Sequence, residues 1–339
     1  MLKLGIVGTG MMAGIIAEAC PLAGVNVHSV LSRTPNALDA FCQKFNVPRD
    51  RGFCDLSRFF SDPQLDAVYI ATPTSTKEEL LRMCIQHRKH ALIEKPFPDS
   101  DGFLSLLSES DRLGLVWLDA AHYIHNPFHS RIRQEIETYV GSINRICASF
   151  IWPDTDRGQI KFSPELEPYG ALGDLGWYPA RVISEFIDVN HLETISSFLI
   201  KNKRGAVIEM NAAGYTDDNI TFTSSASYRG SVCEQTCIIS GEKGQLTVND
   251  FVMPYCGSFV YGQMMKQMSI KISHGLKPLI DTTEKGFMFT ERQHITMLKK
   301  FSEYTIGSAH ERLLSHQNVC INTIKLLRNI NNNASIITA

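Results

Sequence analysis

The sequence predicts an α/β protein: an N-terminal doubly wound parallel sheet, then a C-terminal α+β domain built on a large, mostly antiparallel sheet. Three observations carry this prediction. Apolar runs (LKLGIVG, VNVHSVLS, DAVYI, ALI) alternate with helix-length segments over the first third of the chain. A glycine-rich turn joins the first run to the first helix. From about residue 141 the runs become strand-like and alternating, and two helical segments follow near 290–306 and 310–329.

The 339 residues suffice for two ordinary domains. Hydrophobic residues make up 44% and charged residues 20%, as in a globular protein. A net charge of −2 without long runs of one sign gives no electrostatic basis for binding nucleic acid or a membrane surface. No apolar stretch reaches the ~18 residues of a membrane span. The apolar N-terminus mimics a signal peptide, but its glycine spacing and Glu18 argue for a folded element. Nine cysteines without a CxxC pair read as reduced thiols, so the expected location is cytoplasmic. The eleven histidines form no HExxH motif, and no metal site is expected.

The first strand, LKLGIVG, runs into Gly8-Thr9-Gly10-Met11-Met12-Ala13, a G-x-G-x-x-A turn opening a helix. Gly8 permits the tight turn, and Gly10 lets a pyrophosphate approach the backbone. Ala13 lets the helix pack close, with its first N–H groups facing the phosphates. Such turns also occur without a ligand. Here a second strand follows at βαβ distance, which favours a Rossmann dinucleotide site. An NAD site usually places Asp or Glu at the end of that strand. This one ends Leu31-Ser32-Arg33-Thr34, with no acid between Glu18 and Asp39. Ser32 can donate to a 2′-phosphate and Arg33 can pair with it, so NADP(H) is expected in preference to NAD(H). The alternative is a polar turn with a solvated arginine.

The helix NALDAFCQKFNV comes next, then the strand at Val68–Ile70 and the turn Thr72-Pro73-Thr74. Ser75 or Thr76 can cap the following helix, with Glu78 and Glu79 in its first turn. The run ALI then meets Glu94-Lys95-Pro96. Ligands of doubly wound sheets bind outside the carboxyl ends of the strands. The turns at 8–13, 32–33, 72–74 and 94–96 all fall there, which puts Lys95 at the rim of the cofactor site. The alternative for Lys95 is a snorkelling surface lysine.

GIVGTGMMA, VLSRT, DAVYIATPTSTKEELL, HALIEKPF and the later GALGDLGWYP resemble, in order and spacing, the glucose–fructose oxidoreductase / inositol dehydrogenase family. The resemblance runs from the N-terminus to about residue 330, and Tyr178 places the chain with the tyrosine-bearing branch, similar to dimeric dihydrodiol dehydrogenase. It implies an N-terminal Rossmann domain and a C-terminal α+β domain whose open sheet often forms a dimer interface; a homodimer or homotetramer is expected. It also implies that Lys95 hydrogen-bonds the reacting oxygen, that Tyr178 is the proton donor or base, and that Asp174 helps hold substrate. Two departures bear on the substrate: an arginine common after the sixth strand is Ile124, and a histidine common after the Thr-Pro turn is Lys77.

Hydride transfer to a ketone leaves negative charge on oxygen, so it needs a cation aimed at that oxygen and an acid. Free tyrosine titrates near ~10 and free lysine near ~10.4; a nearby ammonium lowers the former, and burial lowers the latter. Lys95 and Tyr178 suit these roles if they meet beside the nicotinamide. The alternative for Tyr178 is a core aromatic with a satisfied hydroxyl. Asp174, Tyr178, Arg181 and Glu185 recur at helical spacing, interrupted by Pro179. The preferred reading is an active-site loop feeding a helix; the other is that Asp174 caps that helix. Tyr123 and His125, within AHYIHNPFH, are expected to line a substrate pocket. Trp152 and Arg157 either wall it or pack in the core.

The expected domains are 1–121 for cofactor and 122–330 for substrate and dimerisation, with a frayed tail at 331–339. The expected activity is hydride transfer between NADP(H) and a hydroxyl/ketone of a sugar, sugar derivative or cyclic diol. The rivals are a keto-sugar reductase of a biosynthetic pathway and a cofactor-bound sensor without turnover.

Overall fold

The computed structural model describes residues 1–155, 158–253, 268–288 and 291–339. Its contacts divide the chain into Met1–His125 with Glu291–Asn318, and Asn126–Thr290 with Val319–Ala339.

In the first unit, β1 (Lys3–Val7), β2 (Asn26–Leu31), β3 (Gly52–Phe53), β4 (Ala67–Ile70), β5 (His90–Ile93) and β6 (Trp117–Asp119) form one parallel sheet. Its order, β3-β2-β1-β4-β5-β6, is that of a Rossmann fold. Leu4, Ile6, Val68, Ile70, Leu92 and Ile93 are fully buried, because helices cover both faces of such a sheet. The connecting helices are α1 (Met11–Leu22), α2 (Pro35–Lys44), α3 (Leu56–Phe60), α4 (Lys77–Gln86) and α5 (Asp101–Arg112). Their starts follow local chemistry. Pro35 occupies the first turn of α2, and Asp55 and Ser100 accept backbone N–H groups of Arg58 and Phe103 at 2.8 and 3.0 Å. The expected cap of α4 is not made. Thr76 stands at the cap position, but its hydroxyl donates to the Pro73 carbonyl at 2.9 Å beside the Thr72 hydroxyl.

In the second unit, α6 (Pro127–Tyr139) leads to β7 (Ile143–Ile151), then α7 (Gly170–Asp174) and α8 (Trp177–Ile183). The strands β8 (Leu192–Lys201), β9 (Val207–Thr216), β10 (Thr221–Ser227), β11 (Glu234–Gly241), β12 (Gln245–Asn249), β13 (Met268–His274) and β14 (Asp281–Phe287) follow. They are succeeded by α9 (Gln293–Thr305), α10 (His310–Asn332) and β15 (Ala334–Thr338). The nine-stranded sheet runs β14-β13-β12-β11-β7-β10-β9-β8-β15, antiparallel except where β7 meets β10 and β8 meets β15. Along β7, Ile146, Ala148 and Phe150 point under the helices while their neighbours do not, which is the period of a one-sided sheet.

Two features differ from the sequence expectations. Ala334–Thr338 is not a frayed tail: it pairs in parallel with β8, so Ile336 and Ile337 occupy a strand at the sheet edge. The distant β8 offers a free edge, and backbone pairing there outweighs the entropy of a loose end. Residues 291–318 also associate with the first unit, although the sequence reading grouped them with the second. The buried Met297, Leu298 and Phe301 explain this, since α9 packs on α1 and the turn His122–His125. No helix among the described residues is long and apolar enough to cross a membrane.

Candidate active site

In the first unit, four strand ends gather the residues expected to hold a dinucleotide. Gly8 closes β1 with φ +107°, and a Cβ there would meet the Ala71 carbonyl oxygen at 2.7 Å, so only glycine fits. Gly10 precedes α1 with no side-chain cap, and a Cβ on it would face open space. That uncovered backbone at a helix start is the cradle a pyrophosphate requires. The helix begins with exposed Met11, partly exposed Met12 and fully buried Ala13. At the end of β2 the Ser32 hydroxyl lies 3.3 Å from that of Thr9, tying the glycine turn to the second strand end. Ser32 is buried and Arg33 is exposed.

The ends of β4 and β5 form a second group. Thr74 is buried beside Thr72 and Pro73. Glu94 is buried and accepts a 2.5 Å hydrogen bond from the Tyr69 hydroxyl. Burial pushes its carboxyl above the usual range, while Tyr69 and the ammonium groups of Lys95 and Lys77 pull the other way. Lys95 itself is half-buried. Lys77 is 1% exposed and donates to the Pro96 carbonyl at 2.8 Å, a role the sequence did not suggest.

Beyond β6, the turn His122–His125 buries both Tyr123 and His125. The His125 ring stacks on His316, with centroids 5.2 Å apart, and His316 Nε2 lies 2.5 Å from Asp119 Oδ1. His122 packs on His294 at 4.5 Å, and burial holds both rings below their usual range, His294 at about 4. His294 and His316 come from α9 and α10. No local pattern signals a partnership with residues so distant in sequence.

In the second unit, the segment 170–185 corrects the sequence reading. Gly170–Asp174 is a short helix rather than a loop, and Asp174 is its last residue rather than a cap. The reason is packing. A Cβ on Gly170, at φ +47°, would sit 2.3 Å from the Val207 carbonyl oxygen of β9, so the helix turns close against that strand. A new helix starts at Trp177, which leaves Pro179 in a first turn where its missing N–H costs nothing. Asp174 and Arg181 therefore lie on different helices, and one helical face does not run from 174 to 185. The Asp174 carboxylate accepts from the Tyr228 hydroxyl at 2.9 Å. Tyr228 went unnoticed in the sequence; burial and then Asp174 push its phenol far above the usual range. Lys161 lies 4.9 Å over the Tyr228 ring and pairs with Asp154. Tyr178 is 2% exposed, with its ring edge-on to Phe150 at 4.9 Å. Trp152 is half-buried, and Arg157 lies outside the described residues.

Arg181 and Glu185 belong instead to a charge network centred on the Glu185 carboxylate. Glu185 lies 2.9 Å from both His129 and Arg133. Burial alone would raise its carboxyl, but His129, Arg133 and Arg181 overcome this and hold it at about 2. A depressed carboxylate stabilises the fold above its unfolded pKa and loses that contribution as pH falls through the folded one. The window is therefore pH 4.5 down to about 2. Glu185→Gln is expected to cost about 3 kcal/mol near neutral pH, and much less at low pH. Urea unfolding at pH 7 and pH 3 checks this; an equal cost at both would contradict it.

Among the described residues one metal-like group is exposed: His191 with Asp217 and Asp218, in which His191 Nδ1 and Asp217 form a 2.9 Å surface ion pair.

Residues 2–112 match the GFO/IDH/MocA oxidoreductase family, whose fold is an NAD-binding Rossmann fold. The match covers the N-terminal third of the chain. It is similar to the dTDP-3,4-didehydro-2,6-dideoxy-alpha-D-glucose 3-reductase of Saccharopolyspora spinosa, 26% identical over 189 residues, which are 55% of this chain and 56% of the reductase. It is also similar to the scyllo-inositol 2-dehydrogenase (NADP(+)) IolU of Bacillus subtilis, 27% identical over 195 residues, 54% of this chain and 58% of that protein. The matches span little more than half the length of these two curated relatives. A 3-ketoreductase from Actinomadura kijaniata, solved in complex with NADP and TDP-benzene, has the same fold. Its TM-score is 0.84 at 20% identity, over 100% of this chain and 99% of that one. In this chain the family's Rossmann topology is complete, from β3 to β6.

Proposed function

We propose that the protein is an NADP(H)-dependent oxidoreductase acting on a hydroxyl/ketone pair of a sugar, sugar derivative or cyclic diol. The observation that carries this reading is the gathering of Gly8–Ala13, Ser32–Arg33, Thr72–Thr74 and Glu94–Lys95 at the strand ends of one parallel sheet. The glycine turn would hold the pyrophosphate. The bound nicotinamide supplies or accepts the hydride. Lys95 stabilises the negative charge that grows on the substrate oxygen. Tyr178 delivers the proton in reduction and removes it in oxidation, and Asp174, held by Tyr228, orients a substrate hydroxyl. Tyr123 and His125 complete the substrate-binding set.

The similarity to a dTDP-keto-sugar reductase favours, as a second reading, reduction of a keto-sugar within a biosynthetic sequence. Consumption of NADPH with a panel of keto-sugars and cyclitols tests both readings. Binding of NADPH without turnover of any of them would leave a sensor and overturn the enzyme.

NADP(H) is favoured over NAD(H) because β2 ends in Ser32 and Arg33 with no carboxylate to repel a 2′-phosphate. A charge-assisted contact contributes about 1.5–3 kcal/mol, so Arg33→Ala is expected to weaken NADPH about 10- to 100-fold. NADH affinity should change little. Titration of both cofactors by nicotinamide fluorescence checks this; equal losses would contradict it. A homodimer or homotetramer through the second sheet is supported by the exposed Phe198 on β8 and Tyr215 on β9; a monomeric mass in sedimentation would refute it.

A further inference from the structure

We infer that Lys77 is a positioning residue for Lys95, one that holds the backbone on its carboxyl side against the neighbouring strand end. The inference rests on the oxidoreductase reading above. Lysine is almost never fully buried without partners, yet Lys77 is 1% exposed at the first position of α4. Its ammonium donates to the Pro96 carbonyl at 2.8 Å and reaches the Thr74 hydroxyl at 3.5 Å. Thr74 donates to the same carbonyl at 3.4 Å. Two donors, one from the turn after β4 and one from the start of α4, thus converge on the carbonyl of the residue that follows Lys95.

The other side of Lys95 is held as well. The Glu94 N–H donates to the Ile70 carbonyl at 3.0 Å, and its carboxylate takes the Tyr69 hydroxyl at 2.5 Å. Lys95 therefore sits in a turn whose flanking residues are both tied to β4 and the segment after it. A neutral donor could satisfy Pro96. An ammonium makes a bond roughly twice as strong and also places a second positive charge near the buried Glu94. That charge helps offset the desolvation of Glu94. Misplacing a reacting group by about 1 Å can cost ~10²-fold in rate, so a rigid turn under Lys95 matters for turnover more than for cofactor affinity.

The experiment is a double-mutant cycle of Lys77→Met and Lys95→Met in the full chain, using the keto-sugar that the wild type reduces fastest. Lys77→Met is expected to lower kcat about 10- to 100-fold while changing the NADPH dissociation constant by less than ~3-fold. Lys77→Arg should restore part of the loss. In the Lys95→Met background Lys77→Met should cost less than ~3-fold, because its effect passes through Lys95. Multiplicative losses in the double variant would overturn the inference, as would parallel losses of kcat and NADPH affinity. If Lys77→Met does not unfold cooperatively, Lys77→Gln takes its place in the cycle: it keeps a donor and removes the charge. A wild type that reduces no substrate overturns the oxidoreductase reading and this inference with it; an active wild type with a multiplicative cycle overturns this inference alone.

Discussion

Tyr178→Phe is expected to lower kcat by about 10²- to 10³-fold, the range of a lost general acid, with NADPH affinity unchanged within ~3-fold. The change removes one oxygen. The ring keeps its edge contact with Phe150 and its buried position in the first turn of α8. Loss of one hydrogen-bonding group costs only about 1 kcal/mol of stability, so the fold should survive and the effect should fall on chemistry. Steady-state kinetics together with fluorescence titration of NADPH separate the two. If turnover and cofactor affinity drop by the same factor, Tyr178 supports the site rather than delivering its proton.

Lys95→Met is expected to be at least as damaging, about 10²- to 10⁴-fold in kcat, because a preorganised cation in a water-poor site stabilises developing charge far better than water does. The methionine preserves the unbranched stem, which is half-buried at the end of β5. Glu94 keeps Tyr69 and the Lys77 charge, so it need not be left as an uncompensated buried carboxylate. NADPH should still bind, through the Gly8–Ala13 turn and Arg33. A kcat within ~3-fold of wild type would remove Lys95 from the reaction.

The first βαβ unit could be read directly from the sequence. A run of apolar residues, a glycine turn and a helix are set by neighbours in the chain, and Gly8 has a backbone angle few other residues adopt. The four strand ends followed, because strand–helix alternation implies a parallel sheet and a parallel sheet implies its ligand edge. The 170–185 segment reads as a loop feeding a helix, but close packing against β9 winds Gly170–Asp174 into a helix of its own ahead of α8. β15 was missed because five residues carry too little pattern to announce a strand whose partner, β8, lies far back in the chain.

Sequence alone determined the parallel sheet, its dinucleotide turn, the absence of an acid after β2 and the residue types able to stabilise and protonate an oxyanion. These depend on periodicity and on the chemistry of single residues. Only tertiary structure decided that Tyr228 holds Asp174, that His316 and His294 pack on the histidines after β6, that Glu185 gathers His129 and Arg133, and that Lys77 lies buried against Pro96. Each is a pairing between side chains from different elements. A buried polar group must find a partner somewhere, but which one it finds is set by how the elements pack, and that information is not carried by the residues on either side of it.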